Sequence, residues 1–178
     1  MTLSIAFLRA VNVGGRTVKM DALRALLAQN GYTRVETFIA SGNVIFATPP
    51  TLPEAVETHF EALLKAHFGF EVTTFVRNMA QLAQADTATP FTESELTGHV
   101  LYVGFLKAAV SPESLARLLV YVNEVDEFRI VDRTVYWLCR KTISESDFSG
   151  NLLEKALGQP CTLRNRTTVQ KVLAKWGV

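Results

Sequence analysis

Short apolar runs alternate with helical stripes along this chain, and turn residues separate them at regular intervals. Leu3 to Arg9 is short, apolar and followed by turn chemistry, which predicts a strand. Met20, Leu23, Leu26 and Leu27 then recur at helical spacing before Asn30 and Gly31, residues suited to ending a helix. Val35, Thr37 and Ile39 fall on one face of a second predicted strand, Ser41, Gly42 and Asn43 make a turn, and Val44 and Phe46 continue into a third. Thr51 and Glu54 stand at capping-box spacing ahead of the stripe Val56, Phe60, Leu63 and Leu64. Gly69 closes that helix, and Val72 to Val76 supplies a fourth strand. The order is βαββαβ.

A short helix from Met79 and the polar stretch Asp86 to Gly98, which holds Pro90, read as a bridge, after which the pattern restarts. Val100 to Leu106 reads as a strand, Ser111 and Pro112 as a helix start, and Leu115, Leu118, Leu119 and Val122 as its buried face. Phe128 to Val131 and Thr134 to Cys139 flank the turn Asp132 and Arg133. Leu152, Leu153, Ala156 and Leu157 form a helix closed by Gly158, and Cys161 to Leu163 supplies the last strand. A final helix has Asn165 as N-cap and Val169, Val172, Leu173 and Trp176 at i, i+3, i+4 and i+7. The expected fold is α+β: two tandem ferredoxin-like (βαββαβ) halves plus a C-terminal helix. Residues 1–86 form the first half, 87–97 the bridge and 98–178 the second half with that helix. The halves share element order and no visible sequence identity.

With 48% apolar residues over 178 positions, the chain has enough hydrophobic surface for a proper interior. Lysine and arginine total 18 against 17 acidic residues, so no molecule-wide field draws it to nucleic acid or anionic membrane, and any anion recognition must be local. Cys139 and Cys161 fit neither a disulfide framework nor a C-x-x-C pattern and read as reduced, buried small hydrophobes. Leu3 to Leu8 is too short for a secretory segment. No apolar stretch reaches the roughly 18 residues of a membrane span, which favours a cytoplasmic location.

Two polar clusters stand out. In Asn12-Val13-Gly14-Gly15-Arg16-Thr17-Val18-Lys19, paired glycines followed by two cations either form a tight turn or present backbone N–H groups to an anion; the phosphate-loop and dinucleotide-loop patterns are both absent. In Arg164-Asn165-Arg166-Thr167-Thr168, arginines sit where the final helix's dipole is positive, so they call for an anionic partner, either a nearby carboxylate or a bound phosphate or carboxylate ligand. The turn Ser41-Gly42-Asn43 lacks the strand-to-helix context of a nucleophile elbow, so turn geometry explains it. His59, His67 and His99 belong to no metal motif, and no catalytic constellation, metal site or cofactor is expected.

Leu8-Arg9-Ala10-Val11-Asn12-Val13-Gly14-Gly15, Lys19-Met20, Ser41-Gly42-Asn43-Val44, and Arg164-Asn165 with Thr168-Val169 together closely resemble the family catalogued as domain of unknown function 1697. The resemblance runs along essentially the whole chain and implies a bacterial-type, cytosolic protein of two ferredoxin-like halves. It departs from the family at Ala10, where members usually have glycine, and at Arg166, where they usually have tryptophan. Tryptophan there can stack on a planar ligand or fill the core, and arginine imitates only the stacking.

The leading functional expectation is a small-molecule or anion site, for phosphate or carboxylate, in which Asn12, Gly14, Gly15, Arg16 and Lys19 act with Ser41, Asn43, Arg164, Asn165 and Thr168. The alternative is a non-catalytic interaction or homo-oligomeric module. Base stacking on Phe7, Phe46, Tyr102, Phe105, Tyr136 and Trp137 is disfavoured, because core packing explains these aromatics and the signature of RNA-recognition modules is missing.

Overall fold

The computed structural model describes residues 1–39 and 42–177. It divides into two compact units, Met1–Gln81 and Leu82–Gly177. The first contains β1 (Thr2–Leu8), α1 (Met20–Gln29), β2 (Thr33–Phe38), β3 (Asn43–Thr48), α2 (Pro53–Phe68) and β4 (Thr74–Asn78). The boundary falls inside α3 (Met79–Thr87). The second unit holds α4 (Glu93–Leu96), β5 (Val100–Leu106), α5 (Pro112–Leu119), β6 (Asp126–Val131), β7 (Thr134–Cys139), α6 (Gly150–Leu157), β8 (Cys161–Asn165) and α7 (Arg166–Trp176). The described residues thus form a mixed α+β structure with two four-stranded antiparallel sheets and seven α-helices.

In the first unit the strand order is β2-β3-β1-β4. Ala6, Leu8, Val44, Phe46 and Val76 share one face with Leu23 and Leu27 of α1 and Phe60 and Leu64 of α2. Tyr32 meets Phe46 and Phe60 edge-on, with centroids 5.3 and 4.8 Å apart, a favoured aromatic geometry. The intervening residues Ile5, Phe7, Ile45 and Phe75 are also buried. Central strands buried on both faces read as unbroken apolar runs, which is how β1 and β3 look in the sequence.

Because the Arg9 N–H donates to the Thr73 carbonyl, the alternate groups of β4 at Thr74, Val76 and Asn78 point away from β1. Side chains close this edge. Glu61 and Glu57, one turn apart on α2, accept the Thr74 and Val76 N–H groups at 2.9 and 2.8 Å, and Gln81 accepts that of Asn78 at 3.0 Å. Glu57 Oε1 also lies 3.6 Å from the Arg77 guanidinium, both side chains being buried.

The second unit has the order β6-β7-β5-β8. Leu118, Phe128, Trp137, Phe148, Leu153 and Leu157 form its core. The Trp137 indole N–H and the Ser146 hydroxyl both donate to the buried Asp126 carboxylate, at 2.7 Å each. Arg129 bonds Glu95, Glu127 and the Pro90 carbonyl, with its guanidinium 4.0 Å from the centre of the Phe91 ring, which fastens the segment around α4 to β6. The bond from the Arg140 N–H to the Val125 carbonyl fixes the register, so the N–H groups of Phe128 and Ile130 point outward from β6, with no acceptor among the described residues.

Several local expectations change. Thr51 does not cap α2: its hydroxyl donates to the Pro49 carbonyl, and Leu52 is the cap with Pro53 at the first helical position. Ile39 lies past β2, exposed, with φ +50°, so the one-face alternation ends at Thr37. The fourth strand begins two residues later than Val72. The bridge contains α4, capped by Thr92 and Glu95 in a reciprocal box. On α5 only Leu118 of the expected stripe is fully buried, because the helix stops at Leu119, and Leu119 and Val122 are exposed. Phe7, Phe46, Phe105, Tyr136 and Trp137 are buried and Tyr102 is half-buried, and both cysteines are buried and free.

Glu57→Ala should cost about 3 kcal/mol in urea unfolding, because it removes the acceptor of a buried N–H together with the carboxylate beside buried Arg77. Glu61→Ala should cost about 1 kcal/mol, since Glu61 is only half-buried. Equal losses would contradict this account of the β4 edge.

Hydrogen bonds from Arg129 and from Thr92 pull the Glu95 carboxyl down to about 2. A folded-state value below that of the unfolded chain means a contribution present above the ordinary carboxylate range and lost as pH falls toward 2. A carboxyl NMR titration should find Glu95 still ionised at pH 3, and Arg129→Gln should return its midpoint to the ordinary range.

Candidate functional site

In the first unit, the loop after β1 is shaped by short-range bonds. Val13 and Arg16 form an isolated bridge across Gly14 and Gly15, whose φ angles of +60° and +82° suit a two-residue turn. A Cβ on either glycine would meet nothing within 4 Å, so conformation and not crowding selects glycine there. The Asn12 N–H donates to the Arg16 carbonyl at 2.8 Å, and Asn12 Oδ1 accepts the Val18 N–H at 2.9 Å. Asn12 itself has φ +59° and Ala10 has φ +54°. A Cβ costs about 1 kcal/mol in the left-handed region, so glycine would suit position 10 better than alanine does.

Arg16 and Lys19 are exposed on this loop. The Arg16 guanidinium is 5.9 Å from the centre of the Phe70 ring. Lys19 occupies the position before α1 without capping it. The β2–β3 turn adjoins the loop: the Leu8 N–H donates to the Gly42 carbonyl at 2.7 Å, and a Cβ on Gly42 would lie 2.8 Å from Val11 Cγ2. Ser41 lies outside the described residues. Asn43 is buried, and its amide donates to the Phe38 carbonyl at 3.0 Å, which gives it a turn-supporting role.

Arg164, Asn165 and Thr168 lie in the second unit at the β8–α7 junction. Asn165 caps α7 by accepting the Thr167 N–H at 2.9 Å. Arg166 pairs with Asp86 at 2.7 Å, so the partner of this cation is a carboxylate of the protein's own. Arg164 Nη1 donates to the Leu163 carbonyl at 2.9 Å, and burial pushes the guanidinium down to about 10.

One relation escaped the sequence reading. Arg77-Asn78 ends β4 just as Arg164-Asn165 ends β8, and each pair leads directly into a helix. The likeness reaches individual bonds. Arg77 Nη1 donates to the preceding Val76 carbonyl at 2.7 Å, as Arg164 does to Leu163, and Asn78 Oδ1 accepts the Gln81 N–H at 2.8 Å, as Asn165 accepts that of Thr167. The repeated dipeptide, placed at the same strand-to-helix step, was the available signal.

Two clefts of about 280 Å³ lie elsewhere in the first unit. One is lined by Glu61, Lys65, Glu71 and Thr73, the other by Tyr32, Thr48, Thr51 and His59, where the Tyr32 hydroxyl and His59 Nδ1 are 2.7 Å apart. Neither contains an expected site residue. Among the described residues no group of three or more histidine, cysteine or acidic side chains is placed to hold a metal ion, and no helix is long and apolar enough to cross a membrane.

Comparison with known proteins adds fold and family. No curated protein matches the chain. A solved structure of a conserved bacterial protein, SP0830 from Streptococcus pneumoniae, is similar over 96% of both chains, with a TM-score of 0.74 at 20% identity. At that identity the likeness concerns the fold. The family model described as "Protein of unknown function (DUF1697)" matches residues 1–136, which takes in the whole first unit and both strands of the β6–β7 pair up to Tyr136. On that match the chain belongs to the DUF1697 family.

Proposed function

We propose that this protein recognises a small anion, a phosphate or a carboxylate. In the first unit the recognising groups are Asn12, Gly14, Gly15, Arg16 and Lys19, and in the second Arg164, Asn165 and Thr168. The observation that carries this reading is the internal bracing of the first loop. Asn12, held at φ +59°, bonds both Arg16 and Val18, so Arg16 and Lys19 are displayed from a loop whose shape is already set. Preorganised cations lose less freedom on meeting an anion than cations on a slack loop. Each unit is best understood as a ferredoxin-like half, a reading supported by two βαββαβ successions with matching antiparallel strand orders.

A second reading, an interaction or self-associating module, draws on one observation. Leu119 at the end of α5, and Val120 and Val122 just beyond it, are exposed apolar residues, with Val120 80% exposed.

Screening nucleotides, sugar phosphates, carboxylates and inorganic phosphate by thermal shift tests the first reading. A ligand at a hundredfold its Kd stabilises by about 2.7 kcal/mol. The double variant Arg16→Ala with Lys19→Ala should lose the shift while its unliganded Tm holds; a shift indifferent to that variant rules out the loop. Light scattering at high concentration tests the second: a concentration-dependent mass abolished by Val120→Asp is expected if the exposed run mediates association, and a constant monomer mass rejects it.

A further inference from the structure

β2 and β6 are corresponding end strands of the two sheets, reached from β1 and β5 through α1 and α5, and they are finished differently. The register of β2 against β3 shifts between Thr33 and Glu36, and Arg34 has φ +51°. An irregularity of this kind bends an edge and breaks its row of donors and acceptors, a common guard against the addition of a further strand. β6 has no such break. Its register against β7 runs without a shift from Asp126 to Val131.

The N–H groups of Phe128 and Ile130 point away from β7, and so do their carbonyls, which meet no donor among the described residues. Asn123 marks where this free stretch begins. Its N–H donates to the Asp126 carbonyl and its Oδ1 accepts the Asp126 N–H, both at 3.0 Å, so the outward groups of Asp126 are already engaged. The free edge is the paired donor and acceptor of Phe128 and of Ile130. A copy of itself running antiparallel satisfies all of these groups: Phe128 exchanges both bonds with Ile130 of the second copy, and Ile130 with its Phe128.

The side chains suit the same partner. Glu127 and Arg129 lie on one face of β6, bonded to each other and to Arg140 and Glu95. In the antiparallel register the Arg129 residues of the two copies meet at the two-fold axis, and each lies diagonal to Glu127 of the other copy, within reach of long side chains. The two guanidiniums thus gather among the Glu95 and Glu127 carboxylates of both copies, whereas an apolar strand offers these charges nothing. Apolar surface flanks the start of the edge, because exposed Val122 immediately precedes Asn123, with exposed Leu119 and Val120 shortly before it.

We propose that β6 is a dimerisation edge: the β6 strands of two copies pair antiparallel about Arg129 and join their second-unit sheets into one continuous sheet. The inference rests on the self-association reading above, which it assigns to a defined edge, and is independent of anion binding. The contact is short, so the dimer is weak and forms at high protein concentration.

The test follows mass by light scattering and amide hydrogen exchange by NMR in the full-length chain, from about 10 µM to about 1 mM. The mass should rise toward that of a dimer, and exchange at the Phe128 and Ile130 amides should slow severalfold over that range while other exposed amides keep their rates. Ile130→Pro should stay monomeric with an unchanged fold, because the N–H it removes makes no bond within the protein and proline is tolerated at such an edge position. A constant monomer mass overturns this proposal and the self-association reading together. A rising mass with unchanged exchange at Phe128 and Ile130, or an Ile130→Pro variant that associates as wild type does, overturns the edge alone. Association then belongs to another surface, and its loss in Val120→Asp would assign it to the exposed run after α5.

Discussion

An edge strand turns every second N–H away from its sheet, and these groups must find acceptors if protein packs against them. In the first unit that constraint determines what lies beside β4. Glu57 and Glu61 occupy successive turns of α2 because Val76 and Thr74 present donors two residues apart, and Gln81 completes the row from the first turn of α3. The position of α2 against the sheet, the burial of Arg77 and the direct passage of β4 into a helix all follow from closing that edge. A carboxylate kept buried at Glu57 is tolerable because a backbone donor and a cation both face it.

The second unit solves the same problem partway. Glu154 closes Cys161, while the next outward donor, at Leu163, meets no acceptor among the described residues. Arg166 and Asp86 tie the start of α7 to the end of α3 by an ion pair. Both halves build their cores around contacting aromatic rings, Tyr32, Phe46 and Phe60 in the first and Phe128, Trp137 and Phe148 in the second.

Much of the architecture was legible because periodicity and turn chemistry act locally. The stripes of α1, α2 and α7 and the hairpin at Asp132 were readable from spacing alone. What misled were places where tertiary demands override local pattern. Leu119 and Val122 match a helical stripe, yet α5 ends at Leu119, which leaves Leu119 exposed on its last turn and Val122 outside the helix. Thr51 has cap spacing, yet Pro53 already sets the helix start. For the candidate site, Asn12 and the glycines were visible as loop formers, but the bracing of the loop depends on a bond between residues six apart. Arg77-Asn78 was overlooked because it falls inside an apolar strand. The element order and register show that it and Arg164-Asn165 occupy the same step.

The outward donors of β6 bear on how this protein behaves at high concentration in a cell. Phe128 and Ile130 offer a short, regular ladder that an unfolded neighbour can extend, the first step of misassembly. Glu127 and Arg129, alternating with them and joined to Arg140 and Glu95, place charge along one face of that edge. They act as gatekeepers, raising the cost of adding an apolar strand where backbone geometry alone would admit one.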